Sequence, residues 1–342
     1  MSVELQSVPQ AETAGSEGTI DSLPILILNV HENCNCKCRM CDIWKRPAGS
    51  QLSIERVRTY QDSIRTLAVR QIVLTGGEPL LHAHLRELCT ILKECDVHLT
   101  LLSTGLLLGK KAETIADCVD DVIVSLDGPR SIHNSIRRVP GAYDLLRDGI
   151  QRLRQIRPHF PIYARSTIQQ ANAGCLRETV NAAKDICSDS ISFLAVDTSS
   201  QAFNRDLIWP IPRQAEIGIA SYEAALLEEE LELLIAQNVE DFASGYIVEN
   251  PEKLRRIVSY FRRILGELPL LAPMCNAPWV SAVVEVDGAI RPCFFHKKIG
   301  STELLPLHLA LNTSEAKAFR QVLDVKSNPT CQRCVCSLNY DS

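Results

Sequence analysis

A parallel (β/α)6 sheet, open or partly closed, is the fold that this sequence predicts, and three observations carry the prediction. Leu23 to Val30 is a continuous apolar run, as in strands buried on both faces of a parallel sheet. Six strand-like segments, this one included, then alternate with five helix-like ones up to Asp197, as strand and helix units in register. Beyond that point the rhythm breaks, and a period-two stretch around Asp287-Gly288 signals a hairpin in a small C-terminal region.

The elements follow in order. Residues 1–21 are polar, without a period, and read as a loosely ordered tail. After the first strand, SIERVRTYQDSIRTLA reads as a helix and VRQIVLTGGEP as a strand ending in a glycine turn. LRELCTILKEC is a helix, HLTLLSTG a strand, Lys111 to Cys118 a helix and DDVIVSLDG a strand. YDLLRDGIQRLRQI, YARSTIQ, LRETVNAAKDI and ISFLAVD complete the alternation. Residues 22–212 thus form the core. A connector at 213–269 holds two long helical segments, Ala215 to Gln237 and Pro251 to Leu265. Residues 270–342 form a small annex with little core of its own, which bound metal would help to hold.

Composition narrows the class. The chain has 342 residues, 46% apolar and 23% charged, with a net charge of -5, an ordinary soluble balance with no general affinity for nucleic acid. No apolar run approaches the ~18 residues of a membrane span. The start, MSVELQSVPQAETAGSEG, lacks the basic and apolar parts of an export signal, so a cytoplasmic location is expected. Fourteen cysteines in such a chain read as ligands and buried thiols rather than disulfides. Cys89, Cys95, Cys118, Cys175 and Cys187 stand singly in apolar or helical context, as small core residues do.

The loop His31 to Trp44, HENCNCKCRMCDIW, places Cys34, Cys38 and Cys41 directly after the first strand, where ligand sites lie in barrels and open α/β sheets. Soft thiolates at this spacing suit an iron-sulfur cluster, zinc or copper. A cubane cluster needs four ligands; three cysteines would leave one iron open. Cys36 is the rival ligand, but on so short a loop it is expected to point away from Cys34 and Cys38. In the annex, Cys275 precedes the hairpin, Cys293 follows it, and Cys331 and Cys334 form a CxxC. Together they make a closed site, for zinc or a fully ligated cluster. Cys336 stays undecided.

The CxxxCxxC loop, the Gly76-Gly77-Glu78-Pro79 turn and the strand order resemble the radical S-adenosylmethionine superfamily, and the annex resembles its SPASM/twitch subgroup. The resemblance implies a partial (β/α)6 TIM-like barrel with a small C-terminal β-hairpin/helix twitch domain that binds one auxiliary cluster. It implies two 4Fe-4S clusters, one with an open iron on Cys34, Cys38 and Cys41, and one fully ligated by Cys275, Cys293, Cys331 and Cys334. Met40 would flank the adenine of S-adenosylmethionine, and Thr75, Gly76, Gly77 and Glu78 would meet its amine. Ser103 and Ser125 would line the pocket. Arg138 and Arg165 would pair with the carboxylate or ribose, Arg being suited to a fixed fork. Val196 would approach the adenine.

The implied reaction is formation of a 5'-deoxyadenosyl radical that abstracts hydrogen from a small polar substrate: a sugar, cyclitol, nucleoside or amino acid. Two-electron oxidation with the auxiliary cluster as acceptor is the first expectation. Radical C-C or C-S bond formation, epimerisation or decarboxylation, on a small molecule or a peptide, is the alternative. A flavodoxin- or ferredoxin-type electron donor would be a partner; nucleic acid and membrane would not. Phe203, Arg205, Trp209, Tyr246 and His296 are candidates for a substrate pocket, with His296 on an exposed hairpin exit. No catalytic acid or base is assigned.

Overall fold

Strand β1 (Ile25–His31) is where the two parts of the molecule meet. In a computed structural model, which describes residues 18–46, 49–205 and 207–340, one edge of β1 pairs with β2 (Gln71–Gly76) and the other with β7 (Ser281–Val284), both parallel. Beyond β2 come β3 (His98–Ser103), β4 (Asp121–Ser125), β5 (Ile162–Ile168) and β6 (Ser190–Ala195), all parallel. Beyond β7, β8 (Ala289–Arg291) and β9 (Gly300–Ser301) pair antiparallel. The core is therefore a partial (β/α)6 barrel extended by the strands of the C-terminal region.

Alternation decides which residues face where. Leu26, Leu28 and Val30 of β1 are fully buried under the helices, while Ile25, Ile27 and Asn29 are half-buried on the inner face. The covering helices are α1 (Ile54–Thr66), α2 (Leu85–Lys93), α3 (Leu108–Cys118), α4 (Arg130–Arg137), α5 (Ala142–Ile156) and α6 (Leu176–Asp185). Apart from the added α4, this is the expected alternation. The expected helix from Ala215 is split into α7 (Ile211–Ile217) and α8 (Ser221–Gln237). Gly218 is extended between them, and the Glu223 carboxylate accepts the Ala220 N–H at 2.8 Å, starting α8 afresh. Among the described residues no helix is long and apolar enough to cross a membrane.

Two expectations, the coreless annex and the loose tail, are refined by the structure. The annex, expected to have little core of its own, shares that of the barrel: Ala282, Val283 and Val284 of β7 are fully buried, because β7 covers the edge that β1 would otherwise leave open. It is also bonded to α1, through Tyr60 Oη to Thr302 Oγ1 (3.0 Å) and Ser63 Oγ to His308 Nδ1 (2.9 Å). Residues 1–17 of the expected tail lie outside the described residues, but its last part is docked. Ile20 is buried with its N–H on Asn312 Oδ1 (2.8 Å), and the Gly18 carbonyl accepts from Arg320 Nε (2.6 Å).

Candidate active site and auxiliary metal centre

β1 delivers the cysteine loop to the C-terminal end of the sheet, and the end of β2 clasps it there. Gly77 N–H donates to the His31 carbonyl (2.7 Å) and Glu78 N–H to that of Asn33 (2.8 Å). Gly76 has a φ of 133°, and a Cβ on it would lie 2.4 Å from the His31 oxygen; one on Gly77 would lie 2.1 Å from that of Asn33. Only glycine permits this approach. Glu78 is fully buried and ties β2 to β3. Its carboxylate accepts from the Thr104 N–H (2.8 Å), the Thr104 hydroxyl (2.6 Å), the Ser103 hydroxyl (2.9 Å) and the Leu80 N–H (3.0 Å). Burial pushes its carboxyl above the usual range. The carboxylate assigned above to a ligand amine is thus bonded within the chain.

Cys34, Cys38, Cys41 and Met40 gather around Leu106 and Ala142. Donors are aimed at two of the sulfurs: Ile43 N–H lies 3.4 Å from Cys41 Sγ, and Arg137 Nη1 lies 3.6 Å from Cys38 Sγ. Hydrogen bonding from Cys36 and the charge of Arg137, working against burial, bring the Cys38 thiol down to about 7, while burial pushes Cys41 up to about 12. Asn35 Oδ1 accepts the Thr104 hydroxyl at 3.0 Å, but its buried Nδ2 has no partner. Cys34, Cys38 and Cys41, with donors on two of their sulfurs and an unpaired amide beside them, fit a cluster with one open position and an acceptor-bearing ligand, although Cys36 lies in the same group.

Cys36 corrects the sequence expectation. It is buried, and its hydrogen bonds to Cys34 and Cys38 raise its thiol far above the usual range. Alternation applies to a strand, and the chain leaves β1 at His31.

The other expected residues separate into inner and outer sets. Ser125 and Arg165 are register partners on β4 and β5, and Arg165 Nε donates to Ser192 Oγ on β6 (3.2 Å). Thr75 is level with Asn29 across β1 and β2. Val196 is buried, its N–H on the Ile168 carbonyl (2.9 Å). Arg138 stands exposed at the left-handed end of α4. The preceding Arg137, not among the residues expected at the site, is buried, its Nη2 2.6 Å from Asp127 Oδ2. The signal in the sequence is that Arg137 stands four residues after His133, and so on the same face of α4.

The stretch expected to line a substrate pocket clamps the cysteine loop instead. Arg205, its side chain out of solvent, pairs with Asp197 (2.6 Å), donates to the Met40 carbonyl (3.1 Å) and stacks on Trp209. Trp209 Nε1 donates to Asp42 (2.7 Å), and Asp42 N–H to the Phe203 carbonyl (3.2 Å). Tyr246 lies at the other end of β6, its hydroxyl 3.3 Å from Ser188 Oγ and its carbonyl accepting from Ile191. Neither placement was readable locally, because the partners lie far away in sequence.

In the annex, Cys275, Cys293, Cys331 and Cys334 line one cavity with Pro273, Pro278, Phe295 and His296. Burial and the neighbouring thiols push Cys331 up to about 11 and raise Cys334 further. Four soft sulfur donors around one cavity fit a metal centre. Among the described residues, no three His, Cys, Asp or Glu side chains stand close enough together to hold a single metal ion. His296 is buried, not exposed as expected. Cys336 is exposed beside the set, within reach of the Arg165 charge. Cys187, expected in the core, is exposed too, at a φ of 60°; Cys89, Cys118 and Cys175 are buried and Cys95 is half-buried.

Residues 28–164 match the model of the radical SAM superfamily, and residues 275–335 match that of SPASM, an iron-sulfur cluster-binding domain. The chain is similar to an AdoMet-dependent heme synthase of Oleidesulfovibrio alaskensis, 27% identical over 60% of this chain and 51% of that protein. It is also similar to a probable GTP 3',8-cyclase of Methanococcus maripaludis, 24% identical over 78% of this chain and 83% of the relative. The match spans about half the length of the first of these. Among solved structures, native anSMEcpe with bound AdoMet superposes with a TM-score of 0.64 at 17% identity, over 91% of this chain and 86% of that one. Streptococcus suis SuiB bound to S-adenosylmethionine gives 0.63 at 12%, over 94% and 74%.

Proposed function

We propose, from the premise that the chain belongs to the radical SAM superfamily and carries a C-terminal SPASM/twitch domain, that it oxidises a small polar substrate by two electrons. The observation that carries this reading is the presence of two separate thiol sets: Cys34, Cys38 and Cys41 gathered, with Cys36 among them, in the loop after β1, and four lining a cavity in the annex. In this reading Cys34, Cys38 and Cys41 hold a 4Fe-4S cluster whose open iron takes S-adenosylmethionine. Cys275, Cys293, Cys331 and Cys334 hold a second, fully ligated one. With both bound and an electron supplied by a flavodoxin- or ferredoxin-type donor, the cofactors provide reductive cleavage to methionine and a 5'-deoxyadenosyl radical, and a place for the electron that the substrate gives up.

The protein's own part is to orient and enclose. Gly76 and Gly77 fix the loop, the Asn35 amide is free to meet an acceptor, and Arg205 holds the Met40 carbonyl so that the loop cannot swing out. Asn29, Thr75, Ser125 and Arg165 give the inner face near the mouth a polar character that suits hydroxyl, amine or carboxylate groups. Relatives named for heme synthesis and for cyclisation of GTP, neither of them peptide chemistry by name, support a small substrate.

The test is anaerobic reconstitution of the chain and of its Cys34→Ala, Cys38→Ala, Cys41→Ala variant. About eight irons per wild-type chain are expected for two cubane clusters. The variant is expected to keep the annex metal and to form no 5'-deoxyadenosine from S-adenosylmethionine under reductant. Undiminished 5'-deoxyadenosine in the variant overturns the site. Four irons with one zinc makes the annex structural and removes the electron acceptor.

A further inference from the structure

The wall of the annex cavity contains one imidazole, and the chain holds it with unusual care. His296 is buried, and its Nε2 lies 3.4 Å from Cys331 Sγ. Phe319 meets the ring edge-on at 5.1 Å between centroids. The His296 carbonyl accepts from Arg291 Nη1 at 3.1 Å, and Arg291 Nε donates to Glu285 Oε1 at 2.9 Å. The other oxygen of Glu285 accepts from Asn29 of β1. The His296 backbone is thereby tied through Arg291 and Glu285 to β1.

A thiolate bound to iron has lone pairs and no proton, so its only hydrogen bond with an imidazole is one in which the imidazole donates. Hydrogen bonds to cluster sulfurs stabilise the more negative, reduced form and are one of the levers that set cluster potential. We propose that His296 is a positioning residue of the annex: its Nε2–H donates to the Cys331 sulfur and raises the reduction potential of the annex cluster above what the four cysteines alone would give. This rests on the two-cluster reading above, and it explains why a residue that bears no ligand spacing is buried among four thiols. A higher potential is what an electron acceptor needs.

The experiment is potentiometry followed by electron paramagnetic resonance on the anaerobically reconstituted full chain. The annex signal is identified as the one that survives in the Cys34→Ala, Cys38→Ala, Cys41→Ala variant. His296→Leu is expected to keep the annex irons and to shift that cluster's reduction equilibrium about tenfold toward the oxidised form, 59 mV for a one-electron couple. His296→Gln, which retains an N–H donor, is expected to recover at least part of the shift. An intact annex cluster whose potential ignores His296→Leu overturns the proposal alone. Strong nitrogen coupling of an iron-bound imidazole in the wild type, or loss of annex iron in both variants, overturns it in favour of a ligand or a packing role. Zinc in the wild-type annex overturns it together with the two-cluster reading, and metal analysis of the unmutated protein distinguishes that case.

Discussion

Arg137 Nη2 lies 2.6 Å from Asp127 Oδ2, and Nη1 of the same guanidinium lies 3.6 Å from Cys38 Sγ. Both side chains are withdrawn from solvent, so each charge depends on the other. Removing one partner of a buried pair leaves the other uncompensated, at a cost of about 3–5 kcal/mol. Arg137→Met is expected to lower stability by that order. Asp127→Asn in addition is expected to restore much of the loss, since the stranded charge is gone. Denaturant midpoints of the two singles and the double close the cycle; an additive double shows that the pair is not coupled.

Gly77 makes the closest approach between the β2 turn and the cysteine loop. A methyl group 2.1 Å from the Asn33 carbonyl must displace the loop backbone, which cannot yield as a flexible side chain does. Gly77→Ala is expected to cost about 1–3 kcal/mol and to lower the reconstituted iron content by roughly half, the loss of one of two cubane clusters. Gly174→Ala, which meets nothing within 4 Å, is the control and is expected to bind the wild-type amount.

His133 is buried, and desolvation, with the nearby Arg137 charge, lowers its pKa to about 3. A histidine whose folded pKa is depressed contributes stability that is complete above its unfolded value near 6.5 and is lost as pH falls toward the folded one. Below pH ~6.5, folding should weaken by about 1.4 kcal/mol per pH unit from this group alone. The difference in unfolding midpoint between wild type and His133→Gln, followed from pH 7.5 to 5.5, measures it. Parallel slopes for the two proteins would falsify this assignment.

Cys331 and Cys334 enter the annex cavity from one short helical turn, Pro329–Gln332, and the residues just after it. Replacing both with alanine is expected to remove about four irons, one cubane cluster, and leave the loop at β1 untouched. In a single turnover such a variant should still form 5'-deoxyadenosine but fail to release oxidised substrate. Equal product from variant and wild type shows that the electron leaves by another route.

The sequence was enough for features that depend on neighbouring residues. Cys34, Cys38 and Cys41 are spaced within one loop, Gly76-Gly77 ends a strand whose period is plain, and the strand and helix alternation is written in local hydrophobic pattern. These readings need no knowledge of distant contacts. Annex cysteines could likewise be grouped by spacing, although not placed.

Tertiary structure alone decided what depends on residues far apart in the chain. Whether Arg137 or Arg138 reaches the cysteine loop is decided in the fold: Arg137, on the face of α4 that buries His133, is turned inward, and Arg138, the left-handed residue that ends the helix, is exposed. Glu78 is closed off by Ser103 and Thr104 from a neighbouring strand. Arg205 and Trp209 grip the cysteine loop across more than 160 residues, and β7 completes a sheet begun some 250 residues earlier. Local propensity records the elements, but the closure of long loops and the pairing of buried charges are settled only when the whole sheet is assembled.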